Sequence, residues 1–216
     1  MKIFCCLALS WICASELSAA EPGAWKPLDH ETFEKLTFSD LPATSYEQKD
    51  GQLKIDVKQS AAAWVLAFPT ARPLHALGFE WKSSVESLVP SAEAEETKAG
   101  DDAILRIGLL LAGPAPTVPF FAPAWIKAVK KLMKQGSDRM VYLTVGAKHK
   151  PGQEWKSPYA SSIENRALAS EAGADGWKKT IFKPEAPMQV VGLWLMSDGD
   201  NTKQSFQVEL RNLTWE

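Results

Sequence analysis

The chain carries no cysteine beyond Cys13, because Cys5, Cys6 and Cys13 all fall near the N-terminus. The body of the protein therefore has no disulfide, no thiolate metal centre and no cysteine nucleophile. Histidine is also scarce, with His30, His75 and His149 scattered singly. No HExxH, no paired-histidine spacing and no serine nucleophile elbow occurs, which disfavours zinc and serine hydrolysis. A glycine-rich phosphate loop is missing as well. Neither sign of charge dominates: 24 basic against 26 acidic residues leave a net charge of −2. That near balance, with no concentrated basic face, argues against a nucleic-acid partner. Beyond residue 20 no apolar run approaches the length of a transmembrane helix.

The first twenty residues read as a signal peptide. Lys2 gives a positive start, Ile3 to Ala14 is mostly apolar, and Ser18-Ala19-Ala20 supplies small residues before Glu21-Pro22. Cleavage is expected after Ala20, with a periplasmic or secreted product. Ile12 before Cys13 argues against a lipoprotein. Residues 21–216 are then long enough for a single domain with a full core.

Strand patterns dominate that domain. Leu53, Ile55 and Val57 alternate with Lys54, Asp56 and Lys58 after an Asp50-Gly51 turn, a strong hairpin signal. Ala61–Phe68, Ala103–Leu111 and Gln189–Met196 are apolar at nearly every position, which predicts strands buried on both faces. Leu77–Val85 and Ser205–Trp215 alternate. Thr44–Gln48, Met140–Val145, Arg166–Glu171 and Trp177–Phe182 complete about ten strands. Val89–Ala99 reads as a solvated acidic loop, and Lys148–Ser162 as a Gly/Pro/Ser loop. An insert over about 114–137 carries the one convincing helix, Trp125–Lys134. Its apolar face is Trp125, Ile126, Val129, Leu132 and Met133, its basic face is Lys127, Lys130, Lys131 and Lys134, and Gly136 is the expected C-cap. The lysines read as a solvated face, with an anionic membrane surface as the alternative. The set predicts a mainly β protein, an antiparallel β-sandwich of jelly-roll type with one inserted amphipathic helix.

Two polar groups interrupt the apolar strands. Asp101, Asp102 and Arg106 open one, and Asp198, Asp200 and Asn201 close another. If those strands are neighbours the groups converge. Asp101, Asp102, Asp198, Asp200 and Asn201 could then hold a hard cation such as calcium, which takes six to eight oxygens. They could equally serve a ligand or catalytic pocket, or be turn chemistry with Arg106 paired to an aspartate. Among nine tryptophans, Trp64, Trp81 and Trp194 sit in strand patterns and read as core. Trp155 and Tyr159, in the Gly/Pro loop, are the candidates for an exposed platform on which a sugar could stack.

Four stretches together resemble the bacterial DUF3047 family of often exported proteins of unknown function. They are Leu77-Gly-Phe-Glu-Trp-Lys82, Lys98-Ala-Gly-Asp-Asp-Ala-Ile-Leu-Arg106, Ser170-Glu-Ala-Gly173 with Trp177, and Gly192-Leu-Trp-Leu-Met-Ser-Asp-Gly-Asp-Asn-Thr202. The resemblance spans roughly Trp25 to Trp215 and is that of a divergent member, with a shortened stretch between Trp177 and Met188 and a larger helical insert. It implies a β-sandwich like those of carbohydrate-binding modules and no established activity. The expected function is a non-catalytic binding module for a glycan or other envelope component. The alternatives are a polysaccharide-acting enzyme using the aspartates as acid and base, and a structural envelope protein with no small-molecule site.

Overall fold

Asp50 and Gly51 both take positive φ, 52° and 73°, and close the predicted two-residue hairpin. Glycine suits this left-handed turn because it has no Cβ to crowd the following carbonyl. The computed structural model describes residues 26–28, 31–88, 94–115 and 124–216. The predicted signal peptide and part of the helical insert lie outside these described residues.

The strands form two sheets. The first contains β1 (Lys26–Pro27), β3 (Ser45–Lys49), β4 (Gln52–Lys58), β6 (Leu77–Ser83), β11 (Glu171–Ala172), β12 (Lys178–Phe182) and β14 (Ser205–Trp215). Its order is β11-β12-β6-β14-β4-β3, with β1 also paired to β14. The second contains β2 (Glu34–Thr37), β5 (Ala62–Leu74), β7 (Ala103–Ala112), β8 (Ser137–Val145), β9 (Glu154–Lys156), β10 (Ile163–Ala167) and β13 (Met188–Asp198). Its order is β2-β5-β13-β7-β8-β10-β9. Successive strands β4, β5, β6 and β7 alternate between the sheets, so the chain builds an antiparallel-rich sandwich, as a jelly roll does. The β8–β10 pair is parallel, a departure from the antiparallel expectation. The intervening chain carries the strand back to its starting end before β10 begins, with β9 lying outside β10.

Alternation explains why β7 and β13 are apolar throughout. Leu105, Ile107 and Leu109 of β7 and Leu193 and Leu195 of β13 face the first sheet. Leu110, Trp194 and Met196 face the other way, into a second cluster with Met140 and Tyr142. That outer face is covered by α1 (Ala124–Leu132), which packs Trp125, Ala128, Val129 and Leu132 onto it. Lys127, Lys130, Lys131 and Lys134 are exposed on its far side. No helix among the described residues is long and apolar enough to cross a membrane.

Several boundaries differ from the sequence reading. The helix ends at Leu132, and Gly136 does not take the left-handed conformation of a C-cap. Gly136 instead packs against Gly113, whose N–H donates to the Gly136 carbonyl at 3.1 Å. A Cβ there would lie 2.4 Å from the Gly113 oxygen. Glu34–Thr37, outside every predicted strand, forms β2, the edge of the second sheet. The loop over 148–162 contains β9, paired to β10.

Candidate functional site

The two interrupted strands are direct neighbours, with Asp198 opposite Ala103 in the β13–β7 ladder. Asp198 Oδ1 accepts the Ala103 N–H at 2.9 Å. Arg106 has the parity of the outer face and is 2% exposed. Its Nη2 donates to Asp101 Oδ1 at 2.8 Å, and its Nη1 lies 3.6 Å from Asp198 Oδ2. The guanidinium also sits 5.5 Å from the Tyr142 ring centre. Asp102 ties the turn down: its Oδ1 accepts the Asn201 N–H and side-chain amide at 3.2 and 3.0 Å, and its Oδ2 accepts the Thr202 N–H at 2.6 Å. Asp200 is 9% exposed and enters no ion pair among the described residues.

All four carboxylates are buried around a single guanidinium, and the titration of Asp101, Asp198 and Asp200 reflects that imbalance. Burial pushes Asp198 well above the usual carboxylate range, against the pull of Arg106. Asp101 is raised by burial and partly restored by Arg106. Asp200 is raised by burial and then by the Asp102 charge. Burial works against the Arg106 charge, but Asp198 and Asp101 outweigh it and hold the guanidinium protonated. A buried charge needs such partners to persist.

A cavity of about 410 Å³ opens over this cluster. Trp194, Met196, Tyr142, Ile163, Ala61 and Arg106 line it from the sheet face. The segment Phe38–Leu41 and the helix start at Ala124 and Trp125 add walls, and Ser157, Tyr159, Asp200 and Asn201 contribute from their loops. Phe38, Trp125 and Trp194 meet edge to face, with centroids 6.2 and 6.3 Å apart. Gly108 sits between Trp194 and Tyr142 in the ladder. A Cβ there would come within 3.0 Å of Trp194 Cβ and 3.1 Å of the Tyr142 ring, so only glycine lets both rings close over β7.

The family model described as Protein of unknown function (DUF3047) matches residues 25–214. The chain belongs to the DUF3047 family. No curated protein matches the sequence. Among solved structures, the chain is similar to the low-affinity xylan-binding module CBM86 from the gut symbiont Roseburia intestinalis, with 11% identity and a TM-score of 0.27. That match covers 84% of this chain and 96% of the module.

In this DUF3047 chain, Asp101, Arg106, Asp198, Asp200, Asn201 and Tyr159 line one cavity, with Asp102 beneath them. Tyr159 is 53% exposed, and Lys98 Nζ lies 5.6 Å from its ring centre. Trp155 is not an exposed platform: it is buried on β9 and stacks flat on His149, centroids 4.0 Å apart. His149 in turn is held by Glu95 and Glu96. Glu95 also accepts the Lys148 N–H at 2.9 Å and is buried, which corrects the reading of that loop as wholly solvated. Asp102, Asp198 and Asp200 offer oxygens within 4.8 Å of one another and are, among the described residues, the group able to approach one cation. Asp101 is drawn to Arg106 instead.

The aromatic walls escaped the sequence reading. In the sequence Phe38 falls outside every strand pattern, Trp125 reads as helix packing and Trp194 as core. Their signal was indirect: strands apolar on both faces require a cover on the second face, and that cover is where a cavity can form.

Proposed function

We propose that this protein is a non-catalytic binding module that holds a glycan, or a fragment of one, in the cavity over β7 and β13. The observation that carries the reading is the pairing, in one space of about 410 Å³, of aromatic rings with a carboxylate and an amide at Asp200 and Asn201. A sugar ring presents a C–H face that stacks on aromatic rings and hydroxyls that both donate and accept. The volume falls in the ordinary range for small-molecule sites. A phosphate or a nucleic acid suits the space poorly, because four carboxylates surround its one guanidinium. A purely structural role accounts less well for Asp200, a motif charge left without an ion pair among the described residues.

The runner-up is an enzyme acting on a polysaccharide. It draws support from the Asp102, Asp198 and Asp200 oxygens lying within 4.8 Å of one another and from the raised titration of Asp198 and Asp200. Glycoside hydrolysis uses two carboxylates free to act. Here Asp198 is taken by Ala103 and Arg106, and Asp102 by Asn201 and Thr202, which leaves Asp200 alone. Export completes the proposal, with the chain freed at Ala20 and acting in the periplasm or outside the cell.

The test is a glycan screen of the chain from Glu21 onward, read by tryptophan fluorescence and followed by a reducing-end assay. Binding without cleavage, weakened about tenfold or more by Trp125→Ala, is the expected result. New reducing ends that disappear in Asp200→Asn would favour the enzyme.

A further inference from the structure

The ionisable groups that line the cavity are unevenly matched. Among the described residues that line it, Asp40, Asp101, Asp198 and Asp200 stand alongside one cation, Arg106, with Lys98 outside the lining near the Tyr159 ring. Arg106 is already committed to Asp101 and Asp198. The charge of Asp102 is met by three N–H groups. Asp200 is different: its residue is nine-tenths buried, it lines the cavity, and it has no ion pair among the described residues. A buried carboxylate without an ion pair is costly even where, as at Asp200, its own backbone N–H donates to it and Lys203 and Arg106 attract it from a distance, and a ligand that brings a cation into contact gains what the free protein lacks. The surrounding walls point to the sign of that partner. Phe38, Trp125, Tyr142, Tyr159 and Trp194 present aromatic rings to the same space, and ring faces attract cations.

We infer that the ligand seats a protonated amine against Asp200, so that the cavity takes an aminated sugar in preference to a neutral or acidic one. The inference rests on the glycan reading above for the sugar, but the amine follows from charge alone. A hydroxyl in its place satisfies a hydrogen bond and leaves the charge unmet. A uronate brings like charge against Asp40, Asp198 and Asp200. Calcium is a poorer occupant, because it needs six to eight oxygens. Both oxygens of Asp102 already accept N–H groups, and a guanidinium sits between Asp101 and Asp198. An ammonium needs one carboxylate and the ring faces.

The experiment uses the chain from Glu21 to Glu216 at pH 7, with tryptophan fluorescence and calorimetry as readouts. The probes are a β-1,4-linked glucosamine trimer, its fully N-acetylated form, cellotriose and a galacturonate trimer, with spermidine as an amine that is not a sugar. The expected result is binding of the glucosamine trimer about tenfold or more tighter than the acetylated and neutral trimers, and none of the uronate. Asp200→Asn should erase that preference, and Asp200→Glu, which keeps the charge, should retain it. Melting curves of both variants check that they fold. Equal affinity for amine, acetamide and hydroxyl, unchanged in Asp200→Asn, overturns the amine while the glycan reading stands. Binding of spermidine with no sugar bound overturns the glycan reading and leaves the amine at Asp200. Silence from every probe overturns both.

Discussion

Arg106 is a lone cation in an apolar strand, and its surroundings fix what its loss must do. Arg106→Ala would strand Asp101 and Asp198 without a counter-charge inside the protein. Breaking a buried pair from one side costs about 3–5 kcal/mol, so urea unfolding should show a loss of that size. A loss below about 1 kcal/mol, the scale of an exposed pair, would mean water reaches the cluster freely. Asp198 supplies a pH test. Its folded-state pKa is raised above the ordinary value of 3.8. Between those two values the folded state holds more protons than the unfolded one, so this group's contribution to stability falls as pH rises. Compared with Asp198→Asn, the wild type should therefore lose melting temperature on going from acid toward neutral pH. A wild type that gains on the variant over that range would show that the pull of Arg106, not burial, governs the carboxylate. The cation question can be tested at the same residues. Arg106 and the N–H groups on Asp102 already occupy the oxygens calcium would need, so excess calcium after EDTA should leave the melting temperature unchanged. A rise that disappears in Asp200→Ala would place a metal there. The convergence itself was legible in the sequence, because four aspartates and an arginine at the ends of two apolar runs have few other ways to be satisfied. Which charge pairs with which was not, since that depends on ladder register.

Elements explain why the floor of the cavity is where it is. Strand β7 places Arg106 and Gly108 on its outer face, two residues apart, with Leu105, Ile107 and Leu109 on the inner one. Gly108→Ala tests that floor. Its new Cβ would press Trp194 Cβ at 3.0 Å and Met140 Sδ at 2.9 Å, and a Trp Cβ cannot swing aside as a side-chain tip can. Overpacking of this kind costs about 1–3 kcal/mol. The same shift displaces two cavity rings, so ligand affinity should fall along with the melting temperature. Unchanged affinity in a folded variant would remove Trp194 and Tyr142 from the binding surface. At this scale the sequence is legible where signals are local. The Asp-Gly hairpin, the alternation of β4 and β14 and the amphipathic α1 all depend on neighbours a few residues away. It is opaque where partners are distant. Trp155 sits in a Gly/Pro stretch that looks exposed, but β9 pairs with β10 and the ring lies on His149, whose own partners Glu95 and Glu96 are about fifty residues upstream. Nothing within the loop announces that contact.

Across the whole molecule, the cavity is the place where segments far apart in sequence meet. Phe38–Leu41 follows an edge strand, Trp125 begins the helix, Ser157 and Tyr159 follow β9, and Asp198–Asn201 closes β13. The central strands behind them are buried on both sides, whereas α1 has no fully buried residue. Local opening is easiest where few groups are buried, so amide hydrogens in α1 should exchange well before those of β13 in the free protein. A ligand in the cavity contacts segments that share no local structure, and it stabilises only the state in which they are assembled. Hydrogen exchange with and without the glucosamine trimer should therefore slow together at 38–41, 124–128, 157–159 and 199–202. The lysine-bearing end of α1, which does not line the cavity, should change less. Protection confined to the exposed face of the first sheet, around Glu80, Ile181 and Thr214, would move the binding site to the opposite side of the sandwich. Slowing at only one of the cavity segments would reduce the ligand to a surface contact of that segment. Simultaneous slowing at all of them, lost in Trp125→Ala, requires a ligand that bridges helix, edge segment and turn at once, and among the described residues the cavity over β7 and β13 is the place where those three meet.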